Sequence, residues 1–237
     1  MRYTALAVDY DGTLAHDGRV ADSTVAALDR AQRRGIRNLL VTGRELSSLF
    51  NVFDRLELFD RVVAENGAVL YDRRTAAVAV LASAPPPAFL TALQEAGIPV
   101  SIGHSVVATV RPYERQLSSI IQSLGLDWHL TFNKSAVMAL PMRVSKATGF
   151  TRALSELAIA ANEVVGVGDA ENDLPFLKIC GLSVAVANAL PVVKENVDVV
   201  LNAARGEAVE AVIAHLLADE LESLRMQSPR HDGQSLT

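Results

Sequence analysis

The chain has 237 residues, 50% of them hydrophobic, which is enough core material for one large domain or two small ones. Its formal net charge is −5 and no run of Lys or Arg exceeds two residues, so nonspecific nucleic-acid binding is not expected. Cys180 is the only cysteine, which rules out an internal disulfide framework, and no apolar run reaches the roughly 20 residues needed to span a bilayer.

Ala5-Leu6-Ala7-Val8 reads as a buried strand within residues 4–9. Met1-Arg2-Tyr3-Thr4 leads straight into it and leaves no room for a signal peptide, so a cytoplasmic location is the expectation. The strand runs into Asp9-Tyr10-Asp11-Gly12-Thr13-Leu14. Two acids at the end of a buried strand need a cation or a reaction to compensate them, because unpaired buried charge is costly. Gly12 allows close backbone approach and Thr13 adds a hydroxyl, a combination that suits a divalent cation and a phosphoryl group.

Asp22 or Ser23 can cap a helix that runs to about Arg34 and stops at Gly35. Residues 37–42 form the next strand, which leads into Val41-Thr42-Gly43-Arg44. Leu46, Leu49, Phe50 and Phe53 then recur on one helical face. A third strand over 61–64 ends in Glu65-Asn66-Gly67, a turn sequence at a strand end. Pro85-Pro86-Pro87 breaks the chain before a helix from Ala88 to Ala96. A strand near 105–110, a helix near 113–124 and strands near 128–132 and 136–140 follow, up to Pro141.

Phe150, Ala153, Leu154, Leu157 and Ala158 mark another amphipathic helix, with Lys146 in its first turn. A cation there opposes the helix dipole, which makes sense if the lysine and the helix start together hold an anion. Strands over 163–167, 182–186 and 197–201 come next, and the first runs into Gly168-Asp169-Ala170-Glu171-Asn172-Asp173. Near-continuous apolar strands alternating with helices predict an α/β fold, a Rossmann-like parallel sheet with helices on both faces. Ligands in such sheets bind beyond the carboxyl ends of the strands, so Asp9, Asp11, Thr42 and Asp169 converge on one crevice.

These four segments, in this order, resemble the haloacid dehalogenase-like superfamily of phosphohydrolases. Asp9 to Leu14 matches its D-x-D-G-T-L nucleophile motif, Val41 to Arg44 its hydroxyl motif, Lys146 its lysine motif, and Gly168 to Asp173 its G-D-x-x-N-D metal motif. The intervening α/β layer looks like the small type IIB-like cap of the Cof-like and phosphoglycolate or sugar-phosphate phosphatase branches. The resemblance implies a core over 1–74 and 141–220, a cap over 75–140 and a flexible tail over 221–237. It implies a Mg²⁺-dependent phosphomonoester hydrolase acting on a small phosphorylated metabolite. Asp9 would be the nucleophile and Asp11 the general acid/base. Thr42, Gly43, Lys146 and Asn172 would bind phosphate, and Asp9, Asp11 (through its main-chain carbonyl), Asp169 and Asp173 would hold Mg²⁺. The chemistry agrees: a carboxylate nucleophile divides a very slow hydrolysis into two steps, and hard oxygen ligands suit Mg²⁺.

Other residues have plainer readings. Asp173 can be a simple helix-start acid, Lys134 competes with Lys146 for the lysine role, and Arg44 fits a structural ion pair better than a substrate contact. His16, His104 and His129 show no metal-ligand spacing and read as surface or loop histidines. Cys180 reads as a core thiol. Arg111, His104, Asn133 and Lys134 are candidate cap contacts. Gly166-Val167-Gly168 is not continued as a dinucleotide fingerprint, and no P-loop is present. Two alternatives stay open: a sugar phosphomutase with the same nucleophile, and a non-enzymatic receiver-like phosphoacceptor switch. Neither nucleic acid nor membrane is an expected partner.

Overall fold

Six of the apolar runs become parallel strands of one large sheet. The structure is a computed structural model and describes residues 2–219 and 221. In chain order the elements are β1 (Ala5–Val8), α1 (Asp22–Arg33), β2 (Arg37–Val41), α2 (Leu46–Val52), β3 (Arg61–Ala64), β4 (Val69–Asp72) and β5 (Ala77–Val80). Then come α3 (Pro87–Glu95), β6 (Ser101–Ile102), β7 (Val107–Val110), α4 (Glu114–Ser123), β8 (Trp128–Asn133) and β9 (Ala136–Pro141). The chain ends with α5 (Lys146–Leu157), β10 (Val164–Gly168), α6 (Leu174–Leu177), β11 (Leu182–Ala185), α7 (Pro191–Lys194), β12 (Val199–Val200) and α8 (Arg205–Asp219).

The large sheet has the order β12-β11-β10-β1-β2-β3-β4-β5. It is parallel from β12 to β3 and antiparallel at β4 and β5. Ala5 to Val8 of β1 lie opposite Val164 to Val167 of β10, so Asp9 and Gly168 leave the sheet side by side. Every residue of β1, β3, β10 and β11 is buried, as strands covered on both faces require. This is the α/β architecture read from the sequence.

The β4–β5 hairpin is absent from that reading. β5 is an edge strand, Ala-Val-Ala-Val, exposed at all four positions, and it carries no burial signal to read. Its pairing extends the large sheet, so the chain leaves that sheet after Val80 and not at residue 75. The antiparallel small sheet then follows with the order β6-β7-β9-β8. It has its own core of Phe89, Leu93, Ile98, Val107, Leu117, Ile121, Val137 and Ala139. Ala68, Val106, Met138, Leu140 and Val144 form an apolar seam between the two sheets.

Two helix starts differ in how they are built. Neither Asp22 nor Ser23 caps α1; its N-cap is Ala21, without a side-chain bond. The hydroxyls of Ser23 and Thr24 instead reach Glu210 of α8, at 2.8 and 2.6 Å, and tie the two helices together. At α5, Ser145 and Thr148 form a reciprocal capping box, which fixes Lys146 as the first helical residue. No helix among the described residues is long and apolar enough to cross a membrane. The tail expected over 221–237 lies, Leu221 apart, outside the described residues.

Candidate active site

The carboxyl ends of β1 and β10 bring Asp9 and Asp169 together, and the turn after β10 returns Asp173 to them. Carboxylate oxygens of Asp9, Asp169 and Asp173 all lie within 4.8 Å of one another, and all three residues are buried. Lys146 Nζ enters from α5 and stands 2.5 Å from Asp9 Oδ1 and 2.5 Å from Asp173 Oδ1. Asp173 Oδ2 accepts the amides of Asp169 (2.8 Å) and Ala170 (2.9 Å), which folds the loop into shape. Asp9 Oδ2 is buried and has no hydrogen-bond partner.

The electrostatics follow from this crowding. Burial pushes the Asp9 carboxyl well above the usual carboxylate range; Asp173 and Asp169 add to the shift and Lys146 opposes it. Asp169 is raised by burial and by Asp173, against Lys134 and Thr13. Lys146 is raised although burial works against its charge, because Asp173 and Asp9 outweigh that penalty.

Asp11 stands one turn further out. Its Oδ2 accepts from Arg44 Nε at 2.6 Å and its Oδ1 from Arg44 Nη2 at 2.8 Å, a bidentate pair. Arg44 is thus the structural partner of Asp11. Gly12 has φ +91°, and a Cβ there would come within 2.4 Å of Asp169 Oδ2, so both conformation and space require glycine. Thr13 Oγ1 donates to Asp169 Oδ1 at 3.1 Å.

Thr42 is buried at the end of β2, and its hydroxyl accepts the Arg44 amide at 3.1 Å. The Asn172 amide nitrogen donates to Asn66 Oδ1 at 2.8 Å, and its own Oδ1 is buried without a hydrogen-bond partner. Gly43 lies next to this pair, since a Cβ on it would be 3.2 Å from Asn66 Nδ2.

Lys134 and His104–Ser105 are among the small-sheet residues that reach this end of the large sheet. Lys134, in the β8–β9 turn, places Nζ 2.5 Å from Asp169 Oδ2. Glu65, fully buried after β3, accepts the amides of His104 (3.1 Å) and Ser105 (3.0 Å) and faces His104 Nδ1 at 2.9 Å. His104 is thus a half-exposed loop histidine that is also tied to Glu65. Glu65-Asn66-Gly67 is both a turn and a strand end facing the crevice, and its bonds to His104 and Ser105 were not foreseen from the sequence. Arg111 stacks over the Phe132 ring, 5.0 Å from its centroid, and pairs with Glu114. Cys180 donates to the Phe176 carbonyl at 3.3 Å, and burial pushes its thiol up, which fits the core role. A broad surface cleft lies elsewhere, between residues 14–24 and the first turns of α8, and contains none of the buried carboxylates.

The sequence profile of haloacid dehalogenase-like hydrolases matches residues 6–104 and 116–213. The chain belongs to the haloacid dehalogenase-like hydrolases. A phosphoglycolate phosphatase from Methanothermobacter thermautotrophicus is 30% identical over 226 residues, covering 90% of this chain and 98% of that protein. Another from Methanopyrus kandleri is 30% identical over 230 residues, covering 89% and 96%. Among solved structures, a Thermoplasma acidophilum protein has a TM-score of 0.77 at 16% identity, covering 91% of this chain and 98% of that one. A subclass IIB sugar phosphatase of the same superfamily has a TM-score of 0.73 at 19% identity, covering 90% and 98%. These structures share the fold. This haloacid dehalogenase-like chain is an enzyme, a phosphatase.

Proposed function

We propose that this phosphatase hydrolyses the monoester of a small phosphorylated metabolite, phosphoglycolate-like or a sugar phosphate, through an aspartyl-phosphate on Asp9. The observation that carries the reading is Asp9 Oδ2: a buried carboxylate oxygen without a partner, at a strand end, beside two further acids and a lysine. A carboxylate oxygen left unbonded in such a place is costly unless something binds it.

The residues fit Mg²⁺. Asp9, Asp11, Asp169 and Asp173 outnumber the nearby cations Lys146, Arg44 and Lys134, and carboxylate oxygens are the hard ligands this ion takes. Asp9, Asp169 and the Asp11 carbonyl would hold it. Asp173 has one oxygen on two amides and the other on Lys146, so it serves as a positioning residue that sets Asp169 and Lys146. Neutralising the phosphoryl oxygens is the chemistry a bound Mg²⁺ supplies.

The chain's own groups do the rest. Asp9 Oδ2 attacks phosphorus and the ester P–O bond breaks. Asp11 gives its proton to the departing oxygen, then takes one from the water that attacks the aspartyl-phosphate and frees inorganic phosphate. Arg44 occupies both Asp11 oxygens, so proton transfer requires Asp11 to exchange one of these bonds for the leaving-group oxygen. Lys146 holds Asp9 in place and faces the phosphoryl group. The Thr42 hydroxyl, the Gly43 amide and Asn172 complete the phosphate contacts. Residues from about 81 to 140 act as the cap, closing over the leaving group and excluding water.

Phosphate release from phosphoglycolate and a panel of sugar phosphates tests the reading. Many phosphates per chain with Mg²⁺, and none in EDTA, are expected. Full activity in EDTA overturns the metal role. About one phosphate per chain indicates a phosphoacceptor switch, and isomerised substrate without phosphate release indicates a mutase.

A further inference from the structure

We infer that Lys134 is a cap-borne cation exchanged between two anions: Asp169 in the metal-free enzyme, and a carboxylate on the substrate's leaving group in the loaded one. The inference rests on the hydrolytic reading above and deepens it by naming the substrate class, a phosphomonoester with a carboxylate next to its ester carbon.

Lys134 sits in the turn between β8 and β9 with φ +54°, a left-handed conformation that a lysine adopts only when its surroundings hold it there. Its main-chain amide faces Glu171 Oε2 at 3.4 Å, which fixes the turn against the loop after β10. From there its side chain crosses from the small sheet to the large one. Nζ is 2.5 Å from Asp169 Oδ2, and a Cβ on Gly12 would lie 2.8 Å from it. The ammonium therefore stands directly over the Asp9–Gly12 loop.

The two oxygens of Asp169 have different tenants. Thr13 takes Oδ1, so Oδ2 is the oxygen left for a metal, and it is the one Lys134 holds. Two cations on one carboxylate oxygen repel, so metal binding must displace Nζ. The other cations here cannot move in this way. Lys146 is completely buried between Asp9 and Asp173, and Arg44 is bound at both donors to Asp11. The Lys134 side chain is 41% exposed, so solvent-side space is open to it once Asp169 is released.

The displaced ammonium remains on the cap side of the crevice. In an in-line displacement the leaving group departs opposite the attacking Asp9 oxygen, away from the large sheet. The phosphoryl oxygens already have Lys146 and backbone amides, so the group that Nζ meets is the leaving group. A flexible point cation suits a carboxylate there.

The test compares wild type with Lys134→Met and Lys134→Arg. Calorimetric titration with Mg²⁺ alone, without substrate, should show affinity tightened about threefold or more in Lys134→Met, because a competing charge has left Asp169. The ratio of kcat/KM for phosphoglycolate over ethyl phosphate should fall about tenfold or more in Lys134→Met, the size of one lost charge-assisted hydrogen bond, and recover in Lys134→Arg. Unchanged or weaker Mg²⁺ affinity overturns the exchange. A smaller fall in the ratio overturns the leaving-group contact. If the wild type hydrolyses neither ester, the phosphatase reading of the site fails, and the titration still judges the Lys134–Asp169 exchange.

Discussion

Lys146 Nζ stands 2.5 Å from Asp9 Oδ1, although 137 residues separate them in the chain. Three segments meet at this contact: the end of β1, the start of α5 and the turn after β10. Both partners lie out of water, so the pair depends on complete mutual compensation. Lys146→Met removes the cation and leaves Asp9 and Asp173 facing each other. Urea unfolding in the absence of metal should show a loss of about 3–5 kcal/mol. Adding Asp173→Asn should recover part of that loss, since the two sites share a partner. If the two changes are simply additive, the three groups do not act as one network.

Asp9 and Asp11 are separable by substitution. Asp9→Asn should abolish turnover. Asp11→Asn should lower it by about 10²–10⁴-fold while leaving Mg²⁺ binding intact, because the ligand proposed at that position is the main-chain carbonyl. Beryllium fluoride, a mimic of the aspartyl-phosphate, should still bind Asp11→Asn in the presence of Mg²⁺. Near-native turnover in Asp9→Asn would remove it as the nucleophile.

The raised carboxyls of Asp9 and Asp169 carry a pH signature. Over the window that opens near the unfolded value of about 3.9 and closes at the raised native value, the native state binds more protons than the unfolded one. The contribution of these groups to stability is therefore present below that window and is lost as pH rises through it. Metal-free protein should lose stability from mildly acidic towards neutral pH relative to Asp9→Asn, measured side by side. Saturating Mg²⁺ should flatten the difference, because it favours the charged carboxylates. A wild-type stability that rises faster with pH than that of the variant contradicts the sign.

The large sheet was legible because its strands are buried on both faces and read as unbroken apolar runs. Three of the four strands of the small sheet were legible from the turns and prolines around them; β6, two exposed residues, was not. The β4–β5 hairpin was not, since an exposed edge strand of alternating Ala and Val leaves no face to detect. At the site, Asp9, Asp11, Lys146 and Asp169 stand at strand ends and helix starts, where local sequence already restricts what a side chain can face. Arg44 on Asp11, Thr13 and Lys134 on Asp169, and Glu65 on His104 are pairings across the fold. Their geometry depends on how the loops close and on where the two sheets meet, which periodicity does not encode.

Glu65 is the clearest test of how those sheets are joined. It belongs to the large-sheet segment, has φ +50°, and is fully buried. Its carboxylate accepts from the small-sheet segment: the amides of His104 and Ser105, with the His104 ring beside them. Glu65→Ala leaves two amides without their acceptor, at a cost of about 1–3 kcal/mol. Hydrogen exchange at His104 and Ser105 should then quicken by about tenfold or more, because local opening no longer has to break those bonds. Glu65→Gln keeps one carbonyl oxygen and should fall between. Kinetically, KM for the natural ester should rise more than kcat falls, since Glu65 ties down the proposed cap and touches none of the reacting atoms in the proposed chemistry. Unaltered exchange at His104 and Ser105, or a loss confined to kcat, would show that the cap is positioned by the apolar seam of Ala68, Val106 and Met138 and not by this carboxylate.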